Sequence, residues 1–171
     1  MQYDANYWVD KLALKSHPEG GFYKEIYRSK LILDHYVLPK RFRGDRSAAT
    51  AIYYLLRGGE FSAFHRIGAD EGWHFYAGTT SMEVIEIKSN GLLKKHRLGQ
   101  QVEEGESFFA VVEGGSWFAA RPVSESPDVY ALVGCTVAPG FHFDDFELAI
   151  SEDLERTYPQ HKELIKELCR R

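Results

Sequence analysis

Cysteine is nearly missing from this sequence: Cys135 and Cys169 are the only two, one in an apolar run and one in a charged tail. A pair so far apart makes no metal motif, and one disulfide would be an odd framework for a secreted domain, so a reducing, cytoplasmic setting is expected. No stretch comes near the roughly 18 uninterrupted apolar residues that a membrane-spanning helix needs, and no membrane partner is expected. Met1 to Asp10 has neither a basic segment nor an apolar one, so no leader peptide is expected. Positive charge is not in surplus. Lysine and arginine number 21 against 25 aspartates and glutamates, a formal net charge of −4, which gives no electrostatic case for nucleic acid. Low-complexity tracts, internal repeats and a dividing linker are missing too, as are a nucleophile elbow, a P-loop and a dinucleotide fingerprint.

What the chain has is apolar and aromatic content, 44% and 14% of 171 residues, enough for the core of one domain. Residues 1–16 are read as an N-terminal helix, with Tyr7, Trp8, Val9, Leu12 and Leu14 loosely on one face. His17-Pro18-Glu19-Gly20-Gly21 stops it, because proline and paired glycines demand turn geometry. Residues 151–171 are read as C-terminal helices. Ser151 would cap the first, ahead of two acids that suit the helix dipole, and Pro159 would restart the chain into a helix striped by Leu164, Ile165 and Leu168. Residues 17–150 hold about nine short aromatic or β-branched runs, separated by turn signals such as Gly58-Gly59, Asn90-Gly91 and Gly114-Gly115. That spacing predicts an all-β sandwich or barrel.

One stretch has a recognisable spacing. Gly59 is followed by five residues and His65, one residue and Ile67, three residues and Glu71, then six residues and Gly78. This resembles the first motif of the cupin superfamily, G-x5-H-x-H-x3,4-E-x6-G, with Ile67 in place of the second histidine. The second motif, G-x5-P-x-G-x2-H-x3-N, is similar only around Gly115; Glu113, Phe118 and Pro122 stand at its proline, histidine and asparagine positions. The blocks His17–Phe22, Asp70–Gly78 and Ala138–Leu148 resemble the single-domain branch labelled Cupin_5, a likeness that runs from about His17 to Leu148. It implies a jelly-roll barrel, or double-stranded β-helix, with short terminal helices, an internal pocket for a small molecule, and a homodimer. It also implies kinship of fold with sugar-nucleotide epimerases, although fold alone does not give function.

The usual cupin metal site takes three histidines and a glutamate. Here two of those positions are carbon side chains, Ile67 and Phe118, and two remaining ligands are normally too few for tight transition-metal binding. No metal and no cofactor is therefore expected; His74 would face away from the pocket if Glu71 and Trp73 face into it. His65 lies on the apolar face of its strand. It is either a buried neutral histidine satisfied by a tyrosine or the backbone, or a general base oriented by Glu71. Trp73, Phe75 and Trp117 are expected to line the pocket, with Tyr53 among the possible ligand-binding tyrosines. Phe141, Phe143 and Phe146 are read as packing, the nearby acids as mostly exposed, and Lys40, Arg41, Arg43 and Arg46 as solvated charge or, less simply, an anion clamp. Two functions stay open: an isomerase or epimerase with His65 and Glu71 as its working pair, and a binding domain without catalysis. A metal-dependent dioxygenase or isomerase comes third.

Overall fold

The computed structural model describes residues 3–170; positions 1, 2 and 171, at the ends of the terminal segments, lie outside the described residues. Thirteen strands and three α-helices follow in chain order. Helix α1 (Ala5–Leu12) is followed by β1 (Lys15–Ser16), β2 (Phe22–Arg28), β3 (Ile32–Leu33), β4 (Arg46–Ser47), β5 (Thr50–Arg57), β6 (Ser62–Arg66) and β7 (Asp70–Gly78). Then come β8 (Met82–Ile87), β9 (Leu93–Leu98), β10 (Phe109–Val112), β11 (Trp117–Pro122), β12 (Tyr130–Ala138), β13 (Glu147–Leu148), α2 (Ser151–Thr157) and α3 (Lys162–Leu168).

The long strands form two antiparallel sheets, one in the order β1-β2-β5-β12-β7-β10 and the other β13-β6-β11-β8-β9, with β3 and β4 paired separately. Side-chain parity explains why the strands read as nearly unbroken apolar runs. Alternate residues such as Tyr54, Leu56, Val84, Phe118, Val133 and Cys135 fill the space between the sheets. Their neighbours are covered from outside. Leu55, Tyr130 and Leu132 pack under α1 beside Trp8, Val9 and Leu12, while Phe64, Ile85 and Ala119 pack under Leu154, Ile165 and Leu168 of α2 and α3. Each sheet thus buries part of both faces, which sustains continuous hydrophobic strands.

The terminal helices differ in detail from the sequence reading. Helix α1 stops at Leu12, capped by Ala13 in the left-handed region at φ 52°. Ser151 is not a cap: Ile150 holds that position, and the serine hydroxyl donates instead to Glu155 at 2.9 Å. Among the described residues no helix is long and apolar enough to cross a membrane.

Candidate functional site

Between the sheets the filled core gives way to a cavity of about 470 Å³. Strand β5 supplies Thr50 and Ile52, and β12 supplies Cys135 and Val137, each pair on one strand face. His65 from β6 and Glu71 from β7 reach the same space. The third ionisable group, Glu19, comes from outside the barrel strands.

The hairpin His17–Gly21 carries it there. His17 N–H donates to Gly21 O at 2.9 Å, and Gly20 N–H returns to His17 O at 3.1 Å. Gly20 has φ +117°, and a Cβ there would lie 2.2 Å from the Phe61 carbonyl oxygen, so glycine alone lets the hairpin press this close. Ala63 N–H donates to Glu19 O at 3.0 Å, and the Tyr54 hydroxyl donates to Gly20 O at 2.7 Å. The hairpin is thereby tied to β6 and β5, and the Glu19 side chain is driven under His65.

The hydrogen bonds assign protons. His65 Nδ1 lies 2.7 Å from Ala63 O; a carbonyl only accepts, so Nδ1 carries a hydrogen. His65 Nε2 lies 3.1 Å from Glu19 Oε2, a close polar approach between the two side chains. His17 Nδ1 accepts from Glu19 N–H at 3.2 Å, so it is a lone pair, and its 3.5 Å approach to Glu19 Oε1 is no charged bridge. Burial, set against the nearby acid, lowers the pKa of both histidines. It raises Glu19 to about 7, with His17 pulling the other way. Glu71 also rises to about 7: burial is the main cause, His65 opposes it, and Glu19 adds to it. Beside Glu71 the Cys135 thiol is pushed well up, first by burial and then by the carboxyl. At neutral pH the cavity therefore holds two carboxyls that give or take a proton readily, the property general acid–base chemistry requires.

His65 and Glu71 share the cavity, and the imidazole also approaches Glu19 at 3.1 Å. The expected aromatic lining is corrected by parity and by how the barrel is filled. Tyr54 points inward, so Tyr53 points out, edge-on to Tyr76 at 6.0 Å in the cluster under α1. Phe118 points inward, so Trp117 lies on the outer face, with Arg66 over its ring at 4.6 Å. Trp73 does point inward, but into the filled core, edge-on to Tyr54 and Phe118 at 6.0 and 6.4 Å. Phe75 borders a separate polar cavity of about 270 Å³ with Ser81, Arg97 and Glu106. The cavity wall is made instead by Phe141, Phe143 and Phe146, read from sequence as packing. Asp145 is not exposed: it takes two hydrogen bonds from the buried Arg46, at 2.5 and 2.6 Å.

The sequence matches the family described as Cupin superfamily (DUF985), Cupin_5, over residues 6–149. The chain belongs to the Cupin_5 family. Two solved structures resemble it over nearly their whole length. A hypothetical protein from Leishmania major has 30% identity and a TM-score of 0.89, covering 99% of this chain and 100% of its own. A protein from Shewanella oneidensis has 39% identity and a TM-score of 0.85, covering 99% of each. Oxalate decarboxylase from Bacillus subtilis shares the fold, with 14% identity, a TM-score of 0.53, and 90% of this chain against 36% of that one. A search of the curated proteins gave no match.

For a Cupin_5 chain the metal question turns on the donor set. Phe118 packs on the His65 ring with centroids 4.1 Å apart, and Ile67 is a carbon wall of the cavity. His65 Nε2 faces Glu19 Oε2 at 3.1 Å. Among the described residues, the single group of three ligand residues with atoms mutually within 4.8 Å is Asp34, His35 and Asp45, all exposed and away from the cavity lining. The residues lining the cavity do not fit a tightly held transition metal.

Proposed function

We propose that this Cupin_5 protein is an isomerase or epimerase that moves a proton next to a carbonyl group of a small metabolite, without using a metal. One observation carries the reading: Glu19, His65 and Glu71 are buried together on one cavity, with His65 Nε2 3.1 Å from a Glu19 carboxyl oxygen. Placing that many ionisable groups in an apolar interior is costly, and a binding site alone would be served by neutral hydrogen-bonding groups.

The reading assigns roles other than those expected from the sequence. Glu19 faces His65 Nε2 at 3.1 Å, which supports Glu71 as the base and the Glu19–His65 pair as the acid. Glu71 takes the proton from the carbon beside the carbonyl, and the C–H electron pair moves into an enolate whose oxygen collects the charge. The proton held between Glu19 and His65 then returns to carbon, and Glu71 passes its own back to the pair. The test is deuterium exchange in heavy water, followed by proton NMR across aldoses, ketoses and 2-oxo acids. Exchange at the carbon beside a carbonyl is expected, reduced by about 100- to 10,000-fold in Glu71→Gln. A second reading, binding without catalysis, is favoured by the apolar wall of Phe141, Phe143 and Phe146, which would hold a ligand whether or not a proton moves. Binding with no exchange for any compound would select it.

A further inference from the structure

The geometry points to an uncharged cyclic ketone, carrying no phosphate or carboxylate, as the class of molecule this cavity takes, its ring lying against the wall of Phe141, Phe143 and Phe146. The inference rests on the proton-transfer reading for the ketone, and on the charge and shape of the cavity for the rest.

Charge comes first. Arg28 is the one arginine or lysine on the described lining, and it is already spent. Its Nε and Nη2 donate to the two oxygens of Glu25 at 2.9 and 2.7 Å, and Nη1 and Nη2 donate to Phe141 O at 3.2 and 3.3 Å. Only one of its N–H groups is left over. His142 is no free cation either. Its Nδ1 accepts from Asp144 N–H at 3.2 Å, so that nitrogen is a lone pair. His17 Nδ1 accepts from Glu19 N–H in the same way, and His65 Nδ1 is held by the Ala63 carbonyl while Glu19 faces Nε2. The lining therefore offers no open cationic fork, and Glu71 has no arginine or lysine bonded to it. A phosphate or carboxylate entering here would meet a carboxyl without gaining a free cation, and would lose its hydration. A site built for phosphate shows the reverse, an arginine fork left open for bidentate bonding.

Shape comes second. The three phenylalanines meet edge to face: Phe141 to Phe143 at 5.0 Å and 79°, Phe141 to Phe146 at 6.3 Å and 71°, and Phe143 to Phe146 at 5.9 Å and 71°. Phe146 also leans on the His65 ring at 5.5 Å, so the wall runs up to the ionisable groups. Phe143 is 55% exposed, an apolar ring held on the cavity lining with one face unused. A flat ring with C–H groups on its face fits such a wall, and a cavity of about 470 Å³ admits one ring with its substituents.

The test uses two probes of one shape, 4-oxocyclohexanecarboxamide and 4-oxocyclohexanecarboxylate, with affinities measured by ligand-observed NMR on the full chain. The amide is expected to bind about tenfold or more tightly than the carboxylate. Glu25→Gln, which frees the Arg28 fork, should narrow or reverse that ratio, and Phe143→Ala should weaken both probes alike. Equal or tighter binding of the carboxylate to the wild-type protein overturns the inference, as does failure of the amide to bind. Deuterium exchange on the amide separates the two readings. Preference for the amide with no exchange sinks the proton-transfer reading and leaves the charge rule standing; exchange with no preference does the opposite.

Discussion

Glu71→Gln should make the protein more stable while removing its base. The Glu71 carboxyl is buried, and its pKa stands at about 7 against an ordinary 4.5. A carboxyl whose pKa is raised on folding is destabilising in its charged form. Its contribution is favourable relative to high pH below about 4.5, and is lost as the pH rises through about 7. The shift corresponds to roughly 3 kcal/mol, reached in full only above the folded pKa. Glutamine copies the protonated side chain in size and cannot ionise, so the variant is spared that cost. Glu19 raises Glu71, so removing one charge also relieves the other, and the two substitutions together should give less than the sum of each alone. In urea denaturation near pH 8, Glu71→Gln should exceed the wild type by up to about 3 kcal/mol, a rise of roughly 6–12 °C in Tm for a chain of this size. Near pH 4, below both pKa values, the two should agree to well under about 1 kcal/mol. A variant no more stable than wild type near pH 8, or a difference that does not change with pH, would refute the reasoning, because either result means Glu71 does not ionise at a cost inside the cavity.

Three further outcomes are expected. Asp145→Ala strands the buried Arg46 and should cost about 3–5 kcal/mol in urea denaturation; a loss under about 1 kcal/mol would show the pair to be solvated. Trp117→Ala should lower stability by about 2 kcal/mol, since the ring covers the outer sheet face, yet leave the affinity for 4-oxocyclohexanecarboxamide unchanged by NMR; a lost affinity would return Trp117 to the cavity. Ile26, Tyr27, Leu31, Ile32, Tyr36 and Val37 are all exposed along β2, β3 and the turn that follows, an apolar surface that a two-fold partner would cover. Sedimentation should give twice the 19.6 kDa chain mass, and a monomer at micromolar concentration would count against it.

The barrel was legible because its signals are local. Turn pairs such as Asn90-Gly91 and the apolar runs between them mark strand after strand within a few residues, and the spacing from Gly59 to Gly78 ties two strands together. His65 was legible for the same reason, since its parity with Ile67 can be read along one strand. Parity also held the answer for Trp117: the inward place of its neighbour Phe118, where the motif has a ligand, sends Trp117 outward. Tyr53 was harder, because Tyr53 and Tyr54 are alike and both sheet faces are covered. Trp73 shows a different limit. An inward side chain enters either the packed part of the barrel or the open part, and nothing in a strand's own sequence says which.

Glu19 was illegible for a physical reason that also explains the site. It lies in a proline–glycine turn, where an acid is read as solvated, and its partner His65 is far along the chain. Only the approach of Gly20 to the Phe61 carbonyl and the bond from Ala63 N–H bring it under the barrel. Its arrival changes what the degenerate cupin motif does. With Ile67 and Phe118 at two ligand positions, the motif itself offers no second or third imidazole beside His65 and Glu71. A buried histidine beside a single carboxyl would settle into one protonation state. Glu19 adds a second carboxyl, 3.1 Å from His65 Nε2, while Glu71 lines the same cavity. Neutralisation of the buried carboxyls falls to protons, which move near neutral pH because burial has lifted both carboxyls to about 7. The two carbon side chains and the His17–Gly21 hairpin thus act on the same space: the first withhold donors that a cation would need, and the second brings a carboxyl beside His65.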